Sequence, residues 1–203
     1  MMDKYAIDIY ADHMSKCRLI QNVIPSIMLD AVFEYLKSLQ WYSNRRHDTL
    51  WFVKHPCNCQ YSYSKYNIPS IPMPPILVSL MENVGQITGS EGLNSCNTNL
   101  YAEAHNALGW HKDDESLFQA HRQNADIISV SLGAERIFCI RNTFNGTEYP
   151  IPLGHGDICT MEGLFQMFFE HCLLPHDSPS DLRINLTFRK IVLHNTGCQL
   201  AQV

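Results

Sequence analysis

The chain reads as an α+β protein: a double-stranded β-helix (jelly-roll) core with N-terminal helices packed on one sheet. Two helical stretches come first, and short strand-like runs dominate after Gly92. Turn signals such as Leu132-Gly-Ala-Glu135 and Asn145-Gly146 separate those runs. At 203 residues and 45% hydrophobic content, the chain is long enough to bury one sizeable core.

The elements follow in order. Arg18 to Ile24 reads as a strand. Pro25-Ser26 then opens a helix in which Ile27, Leu29, Val32, Phe33, Leu36 and Leu39 keep roughly helical spacing, with Ser26 as N-cap. From Trp41 to Tyr66 the chain is aromatic, polar and irregular, apart from a short alternating strand at Tyr61-Ser-Tyr63-Ser. Trp41, Trp51, Phe52 and Tyr66 are read there as core or lid packing. Prolines 69, 72, 74 and 75 break structure before a second helix over Ile76 to Ile87. Strands are expected at 96–102, 127–132, 136–141, 149–153, 157–161, 165–170 and 183–192. Pro175 to Asp181 is a loop. One domain spans 1–195, with a substrate lid at about 41–70, a catalytic core at 96–192 and a frayed tail at 196–203.

Composition restricts the partners. The net charge is -5. Strong sequence-blind duplex binding comes with a basic surplus, so a nucleic acid would need a local patch. Arg45, Arg46, Lys54 and Lys65, with His47 and His55 beside them, supply one candidate. No apolar run reaches the ~18 residues of a membrane span. The opening Met-Met-Asp-Lys-Tyr-Ala-Ile-Asp carries acids where a secretory signal is apolar, which points to an intracellular protein. The eight cysteines are scattered and read as free, mostly buried thiols. Cys57-Asn-Cys59 is the one tight pair, and it lacks a second pair at zinc-finger spacing.

The residues that carry chemistry lie further on. In His111-Lys112-Asp113, an extended backbone points both outer side chains to one face, where they can share a metal. His155-Gly156-Asp157 repeats the spacing, but its glycine setting ahead of an apolar strand reads as a strand-entering turn. His171 and His176 compete as a third ligand. His171 follows the apolar run from Phe165 to Glu170, on a rigid element, and is preferred over His176 in its loop. Two imidazoles and one carboxylate leave positions open on Fe(II) for a co-substrate and O2. Downstream, Arg183, Asn185, Thr187 and Arg189 share one face of a strand, with Ile184, Leu186 and Phe188 on the other. Such a row suits the carboxylates of an organic acid.

Asn99-Leu-Tyr101, His111-Lys-Asp113-Asp-Glu115, His171 and Arg183-Ile-Asn-Leu-Thr-Phe-Arg189 together resemble the AlkB family of Fe(II)/2-oxoglutarate dioxygenases, over about Tyr61 to Ile191. The arginine strand is the specific part. Two departures stand out. Phe-Phe-Glu precedes His171, and the run after it is one residue longer before its proline. The stretch from Trp41 to Gln60 has no clear counterpart in the family.

The resemblance implies that His111, Asp113 and His171 bind Fe(II). It implies that Arg183, helped by Tyr101, holds the distal carboxylate of 2-oxoglutarate, while Asn99, Asn185, Thr187 and Arg189 line the rest of that site. Tyr61, Tyr63, Trp110 and Glu115 would contact substrate, with Tyr63 stacking on a base and Glu115 touching the base or Arg189. The implied reaction consumes O2 and 2-oxoglutarate and removes N-methyl groups from nucleobases in DNA or RNA, releasing formaldehyde, succinate and CO2. Asp114 and Glu115 would favour a cationic methylated base. The acidic net charge favours single-stranded substrate. No feature of the sequence predicts an oligomer, and a monomer is the expectation. Alternatives are a protein or small-molecule hydroxylase of the same superfamily, a non-catalytic nucleic-acid-binding module, and a zinc-stabilised interaction domain using Cys57, Cys59 and histidines.

Overall fold

A computed structural model describes residues 5–43, 48–63, 66–103, 105–175 and 182–201, without the side chains of residues 63 and 66. The chain opens with β1 (Ala6–Ala11), β2 (Ser15–Ile20) and α1 (Ser26–Lys37). β3 (Tyr42–Ser43), β4 (Asp48–Val53), β5 (Tyr61–Tyr63), β6 (Tyr66–Ile68) and β7 (Ser70–Pro72) lead to α2 (Pro75–Thr88). Then come β8 (Ser95–Tyr101), β9 (Leu108–His111), β10 (Ile127–Gly133), β11 (Arg136–Asn142), β12 (Glu148–Leu153) and β13 (Ile158–Gly163). The last elements are α3 (Phe165–Phe168), β14 (Phe169–Leu173) and β15 (Arg183–Arg189).

Two sheets face each other. The larger runs β1-β2-β13-β10-β15-β8-β4-β3, with β7 joined to β4, and the smaller runs β12-β11-β14-β9. β5 and β6 form a separate hairpin. All pairings are antiparallel except β4 with β7. This is the expected jelly roll with helices on one sheet. Leu29, Val32 and Leu36 of α1 and Leu77, Leu80, Met81 and Val84 of α2 pack on Ile128, Val130, Ile184, Leu186 and Phe188 of the large sheet. Period-2 alternation then turns Ser129, Ser131, Arg183, Asn185, Thr187 and Arg189 to the opposite face, between the sheets. At the β2–β13 end that space is filled by apolar residues such as Leu19, Phe138, Ile140, Ile151, Met161 and Phe169. At the β8–β15 end it opens as a cavity.

Several local expectations need correction. Ser26 is the first helical residue. Pro25 occupies the N-cap, and no side chain caps the helix. The first expected strand stops at Ile20, and β15 stops at Arg189, short of Val192. Phe165 to Phe168 form a helical turn, with Phe165 and Gln166 both buried, in place of the start of the expected strand. The region read as irregular contains β4, whose Thr49 to Val53 are all buried. A strand covered on both faces shows no alternation, which hid it in the sequence. Trp51 and Phe52 are core residues, as expected. Gly133 turns β10 into β11 with φ 84°, and Gly89 ends α2 with φ 78°, a backbone region that disfavours a side chain. Past Asn195 the chain folds back, and it buries Cys198.

Candidate active site

His111 ends β9 and His171 sits mid-strand in β14, and the two are direct cross-strand partners. Their rings lie 4.2 Å apart between centroids. Asp113 follows two residues after His111, its backbone N–H donating to the buried Gln166 Oε1 at 2.9 Å. Asp113 Oδ1 stands 3.8 Å from Nε2 of both histidines. Those gaps are too long for hydrogen bonds. Three donor atoms thus converge without bonding one another, all within 4.8 Å, as ligands of one cation do.

The protonation states fit that role. His111 Nδ1 lies 2.8 Å from the Gly109 carbonyl, which can only accept, so Nδ1 is the donor and Nε2 is the nitrogen left to face a metal. Burial, followed by repulsion from His111, pushes His171 down to about 3, so its imidazole is neutral. Burial alone would raise the Asp113 carboxyl, but Arg189 and the two imidazoles outweigh it and hold Asp113 below the usual range. Arg189 Nη2 donates to Asp113 Oδ2 at 2.8 Å. Burial alone would lower the Arg189 guanidinium, but Asp113, Tyr61 and Glu115 together hold it raised.

The cavity encloses about 260 Å³. Its floor includes His111, Asp113, His171, Asn99, Tyr101, Arg183, Asn185, Thr187 and Arg189, and its mouth is framed by Tyr42, Ser43, Asn67, Ile68 and Pro69. Arg183 is its most unusual member. The side chain is buried, and its Nη2 donates to Ser131 Oγ (2.8 Å) and Asn185 Oδ1 (2.9 Å). Its Nε has no partner among the described residues, and no carboxylate there pairs with it. Burial pulls it down to about 10, still fully charged at neutral pH. A buried cation with an open donor beside a cavity is a built anion site. The residues present therefore fit both a divalent cation and an organic acid.

Among the other expected site residues, Tyr61 lines the cavity and donates to Glu115 Oε1. Glu115 does not line it. Its Oε2 lies 3.9 Å from Arg189 Nη1, and burial pushes it up to about 7. Trp110 points to the outer face of the small sheet, where Arg141 covers its ring at 4.0 Å. Strand alternation requires this, since neighbouring His111 faces in. The side chain of Tyr63 lies outside the described residues, as do Arg45, Arg46, His47, Lys65 and His176. Lys54 is paired with Glu82 at 3.1 Å. In the second His-x-Asp, His155 Nδ1 accepts from Gly133 N and Asp157 Oδ2 from Gly154 N, a structural turn as expected. Sequence reasoning missed Gln166, Ser129, Ser131, Asn97 and Thr49. For Asn97 the signal was present, because it shares a strand face with Asn99 and Tyr101.

Residues 18–189 match the 2OG-Fe(II) oxygenase superfamily. The cattle protein named alpha-ketoglutarate-dependent dioxygenase alkB homolog 3 is 30% identical over 92% of this chain and 70% of its own length. The human DNA oxidative demethylase ALKBH2 is 30% identical over 66% of this chain and 52% of its own. A solved structure, described as that of OsALKBH1, superposes with a TM-score of 0.65 over 89% of this chain and all of that one at 15% identity, a likeness of fold. No helix among the described residues is long and apolar enough to cross a membrane. With its two facing sheets, its His-Asp-His convergence and these relatives, the chain belongs to the AlkB-homologue family of Fe(II)/2-oxoglutarate-dependent dioxygenases.

Proposed function

We propose that this protein removes N-alkyl groups from nucleobases in nucleic acid, with single-stranded DNA or RNA as the preferred substrate. The observation that carries the reading is the buried, acid-free Arg183 at the floor of the same cavity as His111, Asp113 and His171. The three ligands would hold Fe(II), which with 2-oxoglutarate and O2 supplies the oxidising power that a side chain cannot. Arg183 would take the distal carboxylate of 2-oxoglutarate, with Asn99, Tyr101, Asn185 and Thr187 around the co-substrate.

The chain's own residues would do the positioning. Arg189 holds one oxygen of Asp113 and leaves the other directed at the imidazoles. The Gly109 carbonyl keeps His111 in one tautomer. Trp51, stacked on Tyr61 at 4.9 Å, stiffens the wall through which a base would enter. Apolar walls such as Phe138, Met161 and Leu173 exclude water. A base stacked in a duplex cannot reach the floor of such a cavity, so it must be flipped out or already unpaired. The net charge of -5 and the neutralised Lys54 support the unpaired case. The name of the human relative, DNA oxidative demethylase ALKBH2, supports nucleic acid as the substrate class. The eight free thiols support a reducing, intracellular setting.

The test is an aerobic assay with Fe(II) and 2-oxoglutarate against single- and double-stranded oligonucleotides carrying N-methylated bases. The expected result is formaldehyde and succinate in equal amounts and the loss of one methylene mass from the single strand. Turnover of 2-oxoglutarate without loss of methyl from any oligonucleotide would send the substrate assignment elsewhere.

A further inference from the structure

A second cluster of ligand-type side chains lies outside the cavity. Cys57 and Cys59 occupy the loop between β4 and β5, while His194 and Cys198 come from the segment after β15. The three sulfurs and the imidazole Nδ1 lie within 4.8 Å of one another, although 135 or more residues separate the two halves. Nδ1 of His194 is 3.6 Å from Cys57 Sγ, 3.5 Å from Cys59 Sγ and 3.4 Å from Cys198 Sγ. Cys57 Sγ and Cys198 Sγ are 3.8 Å apart. Zinc–ligand bonds of about 2.3 Å to sulfur and about 2.0–2.1 Å to nitrogen give tetrahedral edges of about 3.8 Å for S···S and about 3.6 Å for S···N. The observed separations match those edges.

Each sulfur also receives one backbone amide. Cys59 N donates to Cys57 Sγ (3.5 Å), Asn195 N to Cys59 Sγ (3.3 Å) and Leu200 N to Cys198 Sγ (3.5 Å). Amide donors directed at sulfur stabilise thiolate rather than thiol. The contrast within the same molecule is informative. Cys17 and Cys159 also approach to 3.8 Å, but in an apolar core and outside any metal-ligand group among the described residues. All five cysteines of the two sets are free.

We propose that Cys57, Cys59, His194 and Cys198 bind a structural zinc ion, independently of the oxygenase site. Soft thiolates with one imidazole in tetrahedral array select zinc over the iron that two imidazoles and a carboxylate accept. The ion clips the C-terminal segment to the loop that leads into the cavity wall. The same junction has Asn195 Nδ2 donating to Gln60 O (3.0 Å) and Trp51 Nε1 donating to Cys59 O (2.8 Å). Trp51 in turn stacks on Tyr61. Zinc therefore sets the position of Tyr61 through Cys59 and Trp51.

The test is elemental analysis of the full chain, purified without chelator, as wild type and as two variants. His111→Ala/Asp113→Ala empties the candidate iron site, and Cys57→Ser/Cys198→Ser removes half of the zinc ligands. The expected result is one zinc per chain in the wild type and in the first variant, and loss of that zinc in the second. Should the cysteine variant fail to fold, cobalt exchange into the His111→Ala/Asp113→Ala protein gives the same answer. Tetrahedral thiolate–cobalt absorption must appear in the His111→Ala/Asp113→Ala protein and disappear when an organomercurial blocks the thiols. Zinc-free wild-type protein, a Cys57–Cys198 disulfide found by peptide mapping, or zinc that leaves with His111→Ala/Asp113→Ala would each overturn the proposal.

Discussion

Arg189 and Asp113 share one buried contact, Nη2 to Oδ2 at 2.8 Å, which leaves Oδ1 as the carboxylate oxygen directed at His111 and His171. The arginine is thus the support of a metal ligand as well as a wall of the cavity. Arg189→Ala strands a buried carboxylate, at a cost of about 3–5 kcal/mol of stability. Loss of such an outer partner also weakens metal binding by about 10–100-fold. Anaerobic Fe(II) or Mn(II) titration together with urea unfolding checks both losses. Wild-type metal affinity in this variant would remove Arg189 from the account of the site.

Arg183 gives a prediction with two opposite readouts. Arg183→Met keeps the bulk and removes the charge. A charge-assisted pair to the co-substrate is worth about 3 kcal/mol or more, so the 2-oxoglutarate requirement should rise on the order of 100-fold. The protein without ligands should hold or gain stability, because a buried charge lacking an acidic partner has been removed. Succinate formation against 2-oxoglutarate concentration and urea unfolding measure the pair. An unchanged 2-oxoglutarate requirement with a large loss of stability would make Arg183 a merely structural residue.

Glu115 sets a pH dependence. Burial, opposed by Arg189, raises its carboxyl to about 7 from an ordinary value of 4.5. The folded state therefore holds a proton that the unfolded state releases. Its contribution to stability is full below about pH 4.5 and lost as the pH rises through about 7. In chelator-treated protein, Glu115→Gln should flatten the decline of the unfolding midpoint across that window. A decline of the same slope in Glu115→Gln would assign it to another group.

Trp110 separates the sequence reading from the structural one. Facing Arg141 on the outer sheet surface, it is not among the residues that line the cavity. Trp110→Ala should leave kcat/KM for a methylated single strand within about 2-fold and cost about 1 kcal/mol of stability through the lost cation–π contact. A large rise in KM alone would restore it to the substrate surface.

Much of this was legible in the sequence, where one period governs one surface. Arg183 to Arg189 alternates polar and apolar without interruption, so its two faces could be assigned before any fold was known. His111 and Asp113 were readable for the same reason. Other features depended on tertiary neighbours. β4 is buried on both faces and carries no alternation. Trp110 was misplaced by its nearness in sequence to His111, although the strand period sends the two to opposite sides. Gln166 reaches Asp113 only because a helical turn interrupts the expected strand. Half of the cysteine cluster was visible as Cys57-Asn-Cys59. Its other half straddled the expected domain end, with His194 just inside it and Cys198 in the tail read as frayed.

The most direct test of the central claim is a crystal structure of the protein with Mn(II) and N-oxalylglycine, a metal and a diacid that arrest the reaction. The account predicts one ion on His111 Nε2, Asp113 Oδ1 and His171 Nε2, with the distal carboxylate of the diacid on Arg183. An ion held by other residues, or a diacid whose distal carboxylate leaves Arg183 untouched, would contradict it.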